Sequence, residues 1–135
     1  MKPCNHDSRP LYEVLIGPLR EKARELGYAI GVHGTLKRDI DLIACPWTAE
    51  AVDARTLAEA LFKVVERTHG VAHWSWHPGR GQEFTLDGAP GVKPHGRLGW
   101  VINLTLDGGP YIDLSVMPRI GLPNAKTNRP EPGLD

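Results

Sequence analysis

Aspartate alternates with aliphatic residues at the start of the segment Asp39–Cys45, and this pattern constrains the fold more than any other feature of the chain. Successive side chains of a β-strand point to opposite faces of the sheet. Asp39 and Asp41 would therefore lie on one face, and the aliphatic side chains between and after them would lie on the other. Aspartate is depleted in strands, so its presence here needs a reason. The segment therefore predicts a sheet with one buried apolar face and one open face on which the aspartates have a function.

Strand-like patterns recur in three other segments: Tyr28–His33, Arg97–Leu106 and Tyr111–Met117. Asp107-Gly108-Gly109 predicts a tight hairpin turn between the last two. Val71–Trp76 is a further candidate strand. The glycine- and proline-rich stretch His77–Gly96 predicts a long surface loop, with one strand around Glu83–Leu86.

Two helices are predicted from apolar residues at helical spacing. The first begins near Ser8, a candidate N-cap, and ends at Gly27. The second follows Thr48, another candidate N-cap, and ends near Gly70. Gly17-Pro18 interrupts the first pattern, so we expect either a kink or two short helices that meet there.

The elements occur in the order helix, strand, strand, helix and then a hairpin of long strands. This order predicts an α+β domain in which a mixed β-sheet has helices packed on one face. The 135 residues suit a single domain, which we place at residues 8–118. The remaining segment, 119–135, contains several prolines and few apolar residues, and we expect it to be an extended or disordered tail.

Charge and cysteine content argue against several classes of function. Sixteen basic and sixteen acidic residues cancel, so net charge does not indicate binding to nucleic acid or to anionic lipid. Cys4 and Cys45 are far apart and form no CxxC pair, so no disulfide framework is implied. The N-terminus lacks the apolar core of a signal peptide, and no apolar run approaches the ~20 residues of a membrane span. We therefore expect a soluble, cytoplasmic protein.

A third aspartate, Asp113, lies in the apolar segment Tyr111–Met117. If that strand is a neighbour of the first, its carboxylate joins those of Asp39 and Asp41. Three carboxylates this close repel one another and raise their own pKa values unless a cation neutralises them. Hard oxygen ligands in this arrangement suit Mg²⁺ or Mn²⁺, and a pair of such ions ~4 Å apart serves phosphoryl transfer.

Gly34 and Thr35 precede the aspartates, at the end of the predicted strand Tyr28–His33. Glycine lets the backbone approach a phosphate closely, and the threonine hydroxyl and the amides can hydrogen-bond its oxygens. Lys37 and Arg38 follow, and their charge could offset that of a triphosphate. Alternatively, the aspartates are surface acids for which these two cations are ordinary ion-pair partners.

The succession of a strand, Gly34-Thr35, a short connection, Asp39-x-Asp41 and a later strand-borne Asp113 resembles the nucleotidyltransferase (DNA polymerase β-like) superfamily. The resemblance implies a minimal nucleotidyltransferase-like core over residues 10–118, with phosphate bound at Gly34 and Thr35. It also implies that the three aspartates are catalytic residues that bind divalent metal. Two further segments are similar to segments of small uncharacterised bacteriophage proteins: Gly27–Ile30 and Tyr111–Pro118.

Two functions follow as expectations. The first is a metal-dependent nucleotidyltransferase that binds a nucleoside triphosphate and transfers a nucleoside monophosphate to an unknown acceptor. The second is a non-catalytic module that retains the fold and binds a nucleotide or a partner protein. Two features favour the second function: only three residues separate Thr35 from Asp39, and no helical second domain follows the core.

The stretch His73–His77 carries two histidines and two tryptophans. Positions four apart on a strand are ~13 Å apart, too far for one metal ion, and a zinc site with His95 or Cys45 matches no known ligand spacing. The tryptophans are expected to pack on the sheet or to line a pocket where a base stacks. His33 is either a pocket residue or a strand-end histidine. The long loop offers further cationic side chains for phosphate contacts: Arg80, Lys93, His95 and Arg97.

Overall fold

The computed structural model describes residues 7–74, 91–92, 96–106 and 109–119. Within these ranges the chain forms two helices and six strands. In chain order they are α1 (Arg9–Glu25), β1 (Tyr28–His33), β2 (Ile40–Pro46), α2 (Ala54–His69), β3 (His73–Trp74), β4 (Gly91–Val92), β5 (Leu98–Asn103) and β6 (Tyr111–Val116).

The strands pair into one sheet with the order β1-β2-β6-β5-β3, and the short strand β4 also pairs with β5. The central strands β2 and β6 are parallel, whereas the other pairs are antiparallel. The sheet is therefore mixed, and the predicted α+β class is confirmed. The parallel register aligns Asp41 with Asp113, so both side chains leave the sheet from the same face.

Alternation along the strands separates a buried face of the sheet from an open one. In β2 the buried residues are Ile40, Leu42 and Ala44, while Asp41 between them is only half-buried. The buried face packs against α1 and α2, which contribute their own apolar stripes. Each buried aliphatic side chain contributes about 1.5–3 kcal/mol, so the helices fix the sheet from one side and leave the aspartates on the other.

Helix α1 runs without a break from Arg9 to Glu25 and contains Pro18 in its interior. The expectation of two short helices meeting at Gly17 is therefore wrong. Proline cannot donate the bond that its amide would make to the carbonyl of Val14. Val14 is exposed, so water can satisfy that carbonyl, while buried Leu15 and Leu19 hold both sides of the proline against the core.

Of the two predicted N-caps, Ser8 is confirmed by its position and Thr48 is wrong. Ser8 does occupy the N-cap position of α1, but its side chain makes no capping hydrogen bond. Thr48 does not cap α2; the cap is Asp53, whose carboxylate accepts a hydrogen bond of 2.8 Å from the amide of Thr56. Gly70 ends α2 in the left-handed conformation as expected.

The predicted bounds of β1 are confirmed, and β2 begins one residue later than predicted, at Ile40. Strand β5 ends earlier than predicted, at Asn103. The amide of Leu104 still donates to the carbonyl of Pro110 at 3.1 Å, but proline has no N–H to return the bond, so the ladder with β6 stops there. Leu106 is consequently 83% exposed rather than part of the buried face.

Several predictions lie outside the described residues or extend beyond them. These are the strand around Glu83–Leu86, most of the loop His77–Gly96, the Asp107-Gly108 part of the hairpin turn, and the tail after Arg119. Of the candidate strand Val71–Trp76, only His73–Trp74 is a strand in the described part. No helix among the described residues has both the length and the apolar character needed to cross a membrane.

Candidate metal centre

Three aspartates meet on the open face where β2 begins. Asp41 on β2 and Asp113 on β6 are partners across the parallel pair, and Asp39 precedes β2 by one residue. One carboxylate oxygen from each lies within 4.8 Å of the others, and all three side chains are half-buried. The structure thus brings together the carboxylates that the sequence pattern singled out.

The surroundings of Asp41 disfavour its ionised form. The pKa of Asp41 is raised from 3.8 to about 6, first by burial and then by the negative charges of Asp39 and Asp113. A hydrogen bond with Asp39 raises the pKa further, while the nearby His33 opposes the rise. Without a cation, one proton therefore remains in this cluster up to mildly acidic pH.

Gly34 lies directly against the Asp41 carboxylate. Its φ is +82°, and a Cβ at this position would come within 2.8 Å of Asp41 Oδ2. Any other L-residue would thus incur backbone strain and also displace the carboxylate. The sequence predicted that Gly34 lets a phosphate approach; the structure shows that this glycine first makes room for Asp41.

The connection between β1 and β2 is anchored at several points. Ser8, which is fully buried, donates from its amide to the carbonyl of Leu36 at 3.0 Å and from its hydroxyl to the carbonyl of Arg38 at 2.9 Å. The side chain of Leu36 packs against the core, and its backbone takes the positive φ of 62° that non-glycine residues rarely adopt. The start of α1 therefore holds the segment that leads into Asp39.

The predicted phosphate-binding residues occupy different positions around this connection. The Thr35 hydroxyl accepts a hydrogen bond of 3.3 Å from the amide of Lys37, which forms a local turn. The positive charge of Lys37 acts on Asp7, whereas that of Arg38 acts on Tyr111 beside the aspartates. Of the two predicted cations, Arg38 is the one whose charge reaches the immediate surroundings of the carboxylates.

Tyr111 is a site residue that the sequence interpretation did not single out. It lies on the same face of β6 as Asp113, two residues earlier, and its hydroxyl is hydrogen-bonded to Asp39. Burial, followed by the charges of Asp39 and Asp113, raises the pKa of Tyr111, so its hydroxyl keeps its proton. The sequence offered one signal for it: Tyr111 precedes Asp113 by two residues, so the two side chains lie on the same face of the strand. Ser8, by contrast, has no sequence signal that points to the site.

Other candidate metal sites find no support in the described part of the chain. There the aspartate trio is the one group of three or more potential ligands that come close enough to share an ion. His77 and His95, from the zinc alternative, lie outside the described residues. Trp74 stacks on Phe62 with ring centroids 4.5 Å apart, so it packs on the core as one of the two interpretations expected.

The chain matches no family model, no curated protein and no solved structure. What the site can do therefore has to be inferred from its own chemistry. Three close carboxylates, all oxygen donors, could hold a metal ion.

Proposed function

We propose that the protein is a metal-dependent nucleotidyltransferase-like protein that binds a nucleoside triphosphate and transfers a nucleoside monophosphate to an acceptor. The observation that carries this proposal is the meeting of the Asp39, Asp41 and Asp113 carboxylates within 4.8 Å. The loop beside them begins with Gly34-Thr35, as the resemblance to nucleotidyltransferases leads one to expect.

The donor set fits Mg²⁺ or Mn²⁺. Both ions are hard and prefer carboxylate oxygen. Among the described residues, the group that could share an ion consists of the three aspartates, without cysteine or histidine. Burial and then the charges of Asp39 and Asp113 raise the pKa of Asp41, and a divalent cation would relieve the part that comes from those charges. When bound, the metal would neutralise phosphate charge and make the attacking oxygen a better nucleophile.

The chain's own residues would hold and orient the nucleotide. The space that a Cβ of Gly34 would take is filled by the Asp41 carboxylate, so a phosphate would approach the amides of this turn from its exposed side. Thr35 and Lys37 form an exposed turn next to it. Arg38, whose charge already acts on Tyr111, would contribute positive charge to the same phosphates.

Metal binding is tested first, by titrating the protein with Mn²⁺ and following free Mn²⁺ by electron paramagnetic resonance. We expect binding by the wild type and at least tenfold weaker binding by Asp41→Asn, which keeps the shape of the side chain and removes its charge. Glu59→Gln is the matched control, because Glu59 is exposed on α2 and distant from the site. Failure of the wild type to bind Mn²⁺ or Mg²⁺ would refute the proposal.

A non-catalytic nucleotide-binding module is the second candidate, and one observation favours it. The connection from Gly34 to Asp39 is fixed by Leu36 in the core and by two bonds from Ser8, so it cannot move far to follow a reacting triphosphate. Turnover separates the two functions. Wild type and Asp41→Asn are incubated with γ-labelled ribo- and deoxyribonucleoside triphosphates and Mn²⁺, so that released pyrophosphate carries the label. Pyrophosphate release by the wild type alone selects the transferase, and nucleotide binding without release selects the module.

A further inference from the structure

A cleft lies at the end of β1 that is farther from the aspartates. It has a volume of about 370 Å³ and is lined by Arg20, Arg24, Tyr28, Ala29, Ile30 and Trp47. Strand β1 runs from Tyr28 in this cleft to His33, which pairs with Asp41. At ~3.3 Å per residue, His33 lies ~10 Å along the strand from Ile30 and ~17 Å from Tyr28, so the cleft and the aspartates are separate sites.

The cleft presents an exposed indole on a fixed backbone. The Trp47 side chain is 63% exposed, although its amide donates to the carbonyl of Gly27 at 3.0 Å. Gly27 has a φ of +91°, and a Cβ there would lie 2.5 Å from the Cα of Ala51. The turn that carries Trp47 is therefore packed directly on the end of α1, and the ring can accept a stacking partner without an ordering cost in the backbone.

The charge in the cleft is positive. Arg20 and Arg24 are four residues apart on α1, so their side chains leave the same face of the helix. Neither forms an ion pair or a hydrogen bond with another side chain in the described part of the chain. The adjacent Glu25 accepts a hydrogen bond of 3.0 Å from Lys22, and none of the described residues that line the cleft is acidic.

We propose that this cleft binds a nucleotide unit, with the base stacked on Trp47 and the phosphate held by Arg20 and Arg24. An exposed indole next to two guanidinium groups matches a planar aromatic group joined to an anion. The unit is either a free mononucleotide or part of a single-stranded nucleic acid. The site does not require metal at the aspartates. Because the net charge of the chain is zero, the attraction for phosphate has to come from this local pair of arginines.

Binding is measured in EDTA, which keeps metal out of the aspartate site. The probes are AMP, by calorimetry, and a fluorescein-labelled deoxyadenosine octamer, by anisotropy. One double variant, Arg20→Ala with Arg24→Ala, tests the arginines. Its charge-matched control is the double variant Arg55→Ala with Arg67→Ala, at exposed positions of α2. We expect at least tenfold weaker binding for the first pair, an unchanged affinity for the control, and a salt dependence (log K against log salt) reduced by ~1.4.

The base is tested separately with Trp47→Ala and an abasic octamer. Loss of one base–aromatic stack lowers affinity roughly 5- to 150-fold, so Trp47→Ala should weaken binding of the deoxyadenosine octamer by that factor and leave binding of the abasic octamer unchanged. Trp47→Tyr should restore most of the affinity.

Binding of the octamer but not of AMP assigns the site to single strands, and binding of both assigns it to the nucleotide unit in either form. Equal affinity for the abasic octamer or for an acidic peptide, or no loss in the arginine variant, would overturn the proposal.

Discussion

Replacing Asp41 by asparagine should stabilise the metal-free protein at neutral pH, contrary to the usual effect of changing a half-buried residue. The pKa of Asp41 is about 6 against an ordinary value of 3.8, which means that ionising it costs more in the folded than in the unfolded chain. Each tenfold change in proton affinity is worth about 1.4 kcal/mol, so the penalty is at most about 3 kcal/mol. Because Asp41 is only partly buried, solvent screening reduces this to about 1–2 kcal/mol.

The sign of the pH dependence follows from proton counts. Between pH 4 and pH 6 the folded protein binds more protons than the unfolded chain, so the free energy of unfolding of the wild type falls as pH rises through this range. Above pH 6 the penalty is complete. Asp41→Asn removes it, and the variant should therefore gain about 1–2 kcal/mol over the wild type at pH 8 and almost nothing at pH 4.

Urea unfolding in EDTA at pH 4, 5, 6, 7 and 8 measures this gain, and scanning calorimetry should show a rise of about 4–8 °C in Tm at pH 8. Glu59→Gln serves as the control, because it removes one negative charge from an exposed position and should show no such pH dependence. Addition of Mn²⁺ should reverse the order at pH 8 by stabilising the wild type alone. If Asp41→Asn is less stable than the wild type at pH 8 without metal, burial and the neighbouring carboxylates do not disfavour the ionised form of Asp41 as described.

Three further substitutions probe how the site is held. Gly34→Ala puts a Cβ against the Asp41 carboxylate and strains a φ of +82°; we expect about 1–2 kcal/mol lower stability by urea unfolding and at least tenfold weaker Mn²⁺ binding by paramagnetic resonance. Tyr111→Phe removes the hydroxyl that bonds Asp39 and should weaken Mn²⁺ binding roughly tenfold in the same titration, with the fold intact by circular dichroism. Ser8→Ala leaves a loop carbonyl without its partner and should cost about 1–2 kcal/mol in urea unfolding.

Matched controls exist for two of these substitutions. Gly70→Ala strains a comparable positive φ of +94° at the end of α2, but nothing lies within 4 Å of the added Cβ; it should lower stability by about 1–2 kcal/mol and leave Mn²⁺ affinity unchanged. Weaker Mn²⁺ binding by this variant would show that the effect of Gly34→Ala is not specific to the site. Tyr12→Phe is the control for Tyr111→Phe, because Tyr12 lies on α1 away from the aspartates, and it should leave Mn²⁺ affinity unchanged.

The sequence predicted the strands near the site well because one face of the sheet is buried. Shifting β1 or β2 by one residue would expose every aliphatic side chain, so alternation fixes both the strand and its orientation. Asp39 and Asp41 could therefore be placed on the open face from the sequence. That Asp113 lies directly opposite Asp41 depends on the parallel pairing of β2 with β6, which alternation does not specify.

The helix starts were harder to predict because several residues could cap each helix. Thr48 and Asp53 both suit an N-cap, and tertiary contacts decide between them. The Tyr28 hydroxyl bonds the carbonyl of Val52 at 2.7 Å, and the amide of Val52 bonds the carbonyl of Leu26 at 3.0 Å. These bonds hold the segment before α2 against β1, so the helix can begin only after them. The role of Ser8 was beyond sequence reasoning for the same reason, since its partners lie about thirty residues away.

The parallel pairing of β2 with β6 also determines when the site can form. Asp41 and Asp113 are 72 residues apart in the chain. They come together only when β2 pairs with β6, which closes the loop formed by the residues between them. Long-range pairings of this kind form late, because the entropy of closing the loop must be overcome first. The unfolded chain has no site for the metal, so the rate at which a refolding sample takes up Mn²⁺ should report the closure of β2 against β6.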